Sequence, residues 1–220
     1  MGVIKKRVGV LASGRGSNFR AIAERIAREP DFPAEIVCLV CNVPDAGAIG
    51  IAREFNIETK IIEHTAFGKR REFDAAVRDY LKEKGVEIVV LAGFMRILSD
   101  ILISAFPRKI INIHPALLPS FQGLDAQKRA FDYGCQITGC SVHIVDEGTD
   151  TGPIIMQAAI ALLPDDTAES LASRILEQEH KIFSEALKII CEERYRWEGR
   201  RFIALDYEPA DTVLITPVRK

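Results

Sequence analysis

The segment that most constrains the fold is Arg7–Ala12 (RVGVLA), a short apolar run that passes straight into a glycine-rich turn, Ser13-Gly-Arg-Gly-Ser-Asn18. After the turn, Phe19, Ile22, Ala23, Ile26 and Ala27 recur at helical spacing, and the helix must stop before Pro30. The same alternation repeats. Glu35–Cys41 reads as a strand, 46–55 as a short helix, 57–62 as a strand, and Phe73, Ala76, Val77, Tyr80 and Leu81 mark another helix. Val86–Ala92 is almost continuously apolar, as a central parallel strand covered on both faces requires. The pattern predicts an α/β fold, a Rossmann-like three-layer sandwich with a parallel N-terminal half.

The second half changes character. A helix at 99–106 ends at Pro107, and 109–114 is a short strand that runs into a loop rich in proline and glycine. A helix over 125–133 precedes two longer strands, 139–146 and 153–162. The link between them is short, which predicts a hairpin and a mixed sheet at this end. A long helix fills 167–191, and the strand-like pieces beyond Trp197 have no evident place. The reading is one domain over 1–220, with a phosphate-binding half at about 1–106, a second half at about 107–200 and a tail at 201–220.

Composition narrows the functional classes. The net charge is −2, from 29 basic and 31 acidic residues, which argues against nucleic acid as a partner. No apolar run reaches the length of a membrane span. Five cysteines and no signal peptide read as a soluble protein of the reducing cytoplasm. Cys38-Leu-Val-Cys41 has CxxC spacing but lies in an apolar strand without a second ligand pair, so it reads as core rather than a metal site.

Four places can carry chemistry. Gly16, Ser17 and Asn18 open the first helix, where free amides and the helix dipole attract an anion. The turn matches neither the dinucleotide fingerprint nor a Walker loop, so anion binding and a plain strand–helix turn stay open. Asn112 and His114 alternate on one face of a strand that Pro115 ends, placing an amide donor and a titratable ring at its carboxyl end. In Asp146-Glu-Gly-Thr-Asp150-Thr-Gly-Pro153, Asp146 and Glu147 read as solvated, whereas Asp150 could raise the pKa of His114 and orient its ring if the loop folds over the sheet edge. Glu179 continues the buried stripe of the last helix and needs a partner: a basic side chain of the fold, or an ammonium or hydroxyl of a substrate. His143 and His180 read as packed histidines and His64 as surface.

SGRGSN at 13–18, LAGFMRIL at 91–98, INIHPALLP at 111–119, TGCSVHIVDEGTDTGP at 138–153 and Gln178-Glu179-His180 stand in the order found in one family. Over about residues 7–190 the chain resembles the phosphoribosylglycinamide formyltransferases of the folate-dependent formyltransferase superfamily. The resemblance implies a formyltransferase fold and transfer of formyl from 10-formyltetrahydrofolate to glycinamide ribonucleotide in purine biosynthesis, without a metal. It implies that Gly16, Ser17 and Asn18 hold the acceptor's phosphate and Glu179 its glycinamide. Met95, Arg96, Ile97 and Leu98, with Asn112 and Arg70, would line the folate pocket. Asn112, His114 and Asp150 would be catalytic, with Asp150 keeping His114 protonated. A homodimer is left open. Gln122 stands where relatives often have proline or lysine, and Asp125 where many have histidine, departures expected to alter loop order more than chemistry. The rival readings are methionyl-tRNA formyltransferase, formyltetrahydrofolate hydrolase and a non-catalytic nucleotide-binding module. The short, not notably basic segment after Cys191 speaks against the first, and the early first strand against the second.

Overall fold

β1 (Lys6–Ala12) runs up the middle of a seven-stranded sheet of order β3-β2-β1-β4-β5-β6-β7 in a computed structural model that describes residues 4–207. β2 (Ala34–Cys41), β3 (Thr59–Ile61), β4 (Ile88–Leu91) and β5 (Ile110–His114) are parallel. β6 (Ile137–Ile144) and β7 (Ile154–Ala161) form the antiparallel hairpin that the short link predicts.

Side-chain alternation sorts the strands onto two helical layers. Val8, Val10, Val90, Ile111, Ile113 and Val142 pack with Phe19 and Ile22 of α1 (Ser17–Arg28), Ala48 of α2 (Gly47–Glu54), and Ile175, Phe183 and Leu187 of α6 (Ala168–Glu192). On the opposite face Leu11, Val40, Val89, Leu91 and Ile110 meet Phe73, Val77 and Leu81 of α3 (Arg70–Glu83) and Leu102 of α4 (Asp100–Ala105). Each fully buried side chain of this kind contributes about 1.5–3 kcal/mol, so the two cores fix the sheet between them. α5 (Ala126–Tyr133) packs beside α6.

The strand order reverses at β1 and β4. The chain leaves β1 toward α1 on one face and leaves β4 toward α4 on the other, which opens a crevice at their carboxyl ends.

The strand-like pieces that the sequence leaves unplaced form a hairpin, β8 (Tyr195–Glu198) and β9 (Arg201–Ala204). Tyr195, Trp197 and Phe202 pack on one another and on the first core, and the Arg108 guanidinium lies 4.9 Å from the Trp197 ring centre. The remainder of the expected tail, 208–220, lies outside the described residues. Cys38 and Cys41 are unpaired and buried, and burial pushes the Cys38 thiol up to about 11, as a core reading of the CxxC pair expects. No helix among the described residues is long and apolar enough to cross a membrane.

Candidate active site

On β5, Ile111 and Ile113 face the α6 layer, so Asn112 and His114 face the other way. The antiparallel register sets Asn112 opposite His143 and His114 opposite Ser141. A loop, residues 115–124, covers this polar face. The Ser141 hydroxyl accepts from the Leu118 amide at 3.0 Å and donates to the Ala116 carbonyl at 2.7 Å, pinning the loop down. Further along, Phe121 takes a left-handed φ of 53°, and its carbonyl lies 2.9 Å from His114 Nε2.

The β6–β7 connection brings Asp150 to the same place. Its turn closes on Gly152, where a Cβ would sit 1.7 Å from the Ile144 carbonyl oxygen, so no other residue fits. Asp150 itself has φ 54°. Its Oδ2 lies 3.2 Å from His114 Nδ1 and accepts from the Gly123 amide at 2.9 Å. Its Oδ1 is 3.5 Å from His143 Nε2. Asn112 Nδ2 is 3.1 Å from that same nitrogen, while His143 Nδ1 lies 2.9 Å from the Ile144 carbonyl. Asn112, His114 and Asp150 are therefore brought together, with His143 among them. His143, which its strand pattern marks only as a packed histidine, joins them through the antiparallel register of β6 on β5.

Burial lowers the pKa of His114 below the ordinary imidazole value, against the upward pull of Asp150 and the Phe121 carbonyl. The Asp150 carboxylate pulls the ring's pKa upward, as its position predicts, and desolvation pulls it down. Both ring nitrogens nevertheless face acceptors, an arrangement that only the imidazolium satisfies in full. The site is thus shaped to hold a charge that burial disfavours. Burial would raise the Asp150 carboxyl, but hydrogen bonds from His143 and the Gly123 amide, with the charge of His114, hold it below its usual value.

At the first turn, Gly16 takes φ 79°, and a Cβ there would come within 2.9 Å of Ala48 on α2. Both facts demand glycine. Helix α1 then starts at Ser17 with no side-chain cap, which leaves its first amides facing outward. The Asn18 side chain does not share that task. Its Nδ2 donates to Glu179 Oε2 at 2.7 Å, joining α1 to α6 across 161 residues. Glu179 therefore has a partner in the fold that is neither a basic side chain nor a substrate group, and the Asn18 side chain is taken up by it. Burial raises the Glu179 carboxyl, opposed by that Asn18 hydrogen bond.

The segment after β4 forms the crevice's other wall. Met95 and Ile97 are 72% and 54% exposed, an unusual display of large apolar side chains. Leu98 instead sits in the α3–α4 core, so only its main chain can border the pocket. The Arg96 guanidinium lies 5.0 Å from the Phe73 ring centre, and its buried Nε finds no hydrogen-bond partner among the described residues. Exposed apolar groups beside an unsatisfied buried donor suit a flat ligand with a polar edge. Arg70, the first residue of α3, is exposed one turn before Phe73. The Ser13 hydroxyl accepts from the Met95 amide at 2.9 Å and donates to Asn42 Oδ1 at 2.7 Å, linking this wall to the first turn. His64 is not plain surface, since its Nδ1 lies 3.1 Å from Asn42 Nδ2 and its ring meets Phe73 edge-on. Asp146 is also occupied, accepting from the Gly148 amide and the Thr151 hydroxyl.

The doubly wound sheet carries a half-buried Asn–His–Asp cluster beside its switch point, and the profile of the group-transfer family described as formyl transferase matches residues 6–187. The phosphoribosylglycinamide formyltransferase of Bacillus subtilis (strain 168) is 43% identical over 83% of this chain and 93% of its own. A trifunctional purine biosynthetic protein adenosine-3 of Gallus gallus is 43% identical over 85% of this chain, which spans only 18% of that relative. The crystal structure of glycinamide ribonucleotide transformylase 1 from Symbiobacterium toebii superposes with a TM-score of 0.89 at 42% identity, covering 92% of this chain and 95% of that one. The chain belongs to the phosphoribosylglycinamide formyltransferase family.

Proposed function

We propose that the chain transfers the formyl group of 10-formyltetrahydrofolate to the amine of glycinamide ribonucleotide, with Asn112, His114 and Asp150 as its catalytic residues. The observation that carries this reading is the cluster at the carboxyl end of β5, where His114 lies between the Asp150 carboxylate and the Phe121 carbonyl. The α1 amides at Gly16, Ser17 and Asn18 take the acceptor's phosphate, and Glu179 takes its glycinamide end. The folate lies along Met95–Leu98 and Arg96, with Arg70 at its outer end. The described residues contain no group of His, Cys, Asp and Glu that could hold a metal, and none is invoked in the scheme.

The neutral acceptor amine attacks the formyl carbon, and the bond from that carbon to the folate nitrogen breaks. One proton leaves the attacking nitrogen and one reaches the departing nitrogen. As negative charge grows on the formyl oxygen, it raises the proton affinity of His114, and the ring gains the charge for which its acceptors are arranged. Asn112 donates to the same oxygen. Asp150 stays ionised, orients the ring and stabilises the imidazolium. The His114 Nε2 contact to the Phe121 carbonyl is the one that substrate has to replace.

The test is absorbance-monitored deformylation of a 10-formyl-dideazafolate analogue, with and without glycinamide ribonucleotide. Turnover that requires the ribonucleotide and is lost in Asp150→Asn is the expected result. Turnover without any acceptor points to a hydrolase, and absence of turnover to a binding module.

A further inference from the structure

Two side chains that this scheme does not use converge on the two peptide links that follow Asp150. Gln122 Nε2 donates to the Asp150 carbonyl at 3.0 Å, and the Arg200 guanidinium donates to the next carbonyl, that of Thr151. Asp150 holds a left-handed φ, a conformation that persists in a non-glycine residue where its surroundings favour it. Here the surroundings come from two distant elements.

Gln122 sits in a run of three residues that each hold the cluster. The Phe121 carbonyl faces His114 Nε2, the Gln122 side chain holds the Asp150 main chain, and the Gly123 amide donates to the Asp150 carboxylate. Arg129 of α5 braces the run, donating to the Gln122 carbonyl at 2.6 Å with its guanidinium over the Phe121 ring. Arg200 stands at the tip of the β8–β9 hairpin, whose aromatic trio and Arg108 stack seat it on the domain. We propose that Gln122 and Arg200 are positioning residues: together they hold the consecutive carbonyls of Asp150 and Thr151 and so keep the Asp150 carboxylate against His114.

The activity readout rests on the formyl-transfer reading; the geometry does not. The charged and titratable groups facing His114 are Asp150, His143 of β6 and Arg129 of α5, and all three are retained in Gln122→Ala and Arg200→Ala. Asp150 pulls the His114 pKa upward, so a displaced Asp150 lets it fall.

The experiment measures kcat and KM for formyl transfer in both single variants and the double variant. The His114 titration is followed in the ligand-free proteins by NMR. Each lost bond is expected to lower kcat about two- to tenfold with KM for the ribonucleotide little changed. The His114 midpoint is expected to fall in both variants, and furthest in the double. Arg200→Lys, which keeps a donor and its charge, should retain most of both readouts. Wild-type kcat and midpoint in the double variant overturn the proposal, as does a loss confined to KM or a loss of kcat with an unmoved midpoint. If the wild type fails to transfer formyl while the midpoint still moves, the functional reading fails and the positioning role stands.

Discussion

His114 is placed so that its charged form is geometrically favoured and electrostatically penalised. Asp150→Asn should remove the upward pull on the ring and the partner of the imidazolium together. We expect kcat to fall roughly a hundred- to thousandfold, and the His114 midpoint measured by NMR to drop further below the ordinary imidazole value. Glu179 illustrates the opposite sign. Its folded-state pKa is raised, so its contribution to stability is present below the ordinary carboxylate range and lost as pH rises through the raised value. At neutral pH the ionised group is a cost to the fold. Glu179→Gln keeps the bond from Asn18 and removes that cost, so its melting midpoint at pH 7 should rise by a few degrees. If the carboxylate also meets the acceptor, KM for the ribonucleotide should rise roughly ten- to a hundredfold in the same variant.

The helix that carries Glu179 also closes one core. Phe183 is fully buried against the sheet, and Phe183→Ala should cost about 3–5 kcal/mol, read from urea unfolding. Because the α1–α6 seam holds the Asn18–Glu179 pair, the weakened helix should bind the ribonucleotide less tightly as well. This element was legible in the sequence, because a 3.6-residue period is a local property and Glu179 stood on it as the one carboxylate among apolar groups. The face shared by Asn112 and His114 was legible for the same reason, with a period of two. Contacts set by register and loop path were not. His143 meets Asn112 only because of how β6 pairs with β5. The pairing of Asn18 with Glu179 depends on two helices crossing, and Arg200 reaches Thr151 from a hairpin whose pattern was too short to place.

The two cores share one sheet, and the terminal hairpin packs on the first of them, so the domain should unfold as a unit. The chain's single tryptophan, Trp197, lies in that hairpin. Its fluorescence and the far-ultraviolet circular dichroism should therefore give coincident urea transitions. Separate transitions would show that the hairpin, and with it Arg200, leaves the sheet before the rest.

The Asn18–Glu179 pair carries a consequence for how the protein is made. At about 5–20 residues per second, a ribosome adds Glu179 roughly 8–30 s after Asn18. Until α6 emerges, one face of the sheet lacks Leu171, Ile175, Phe183 and Leu187, and Asn18 lacks its carboxylate partner. A nascent chain can thus complete every strand of the sheet and still lack half of one core, so an interrupted translation product would present an apolar surface to chaperones.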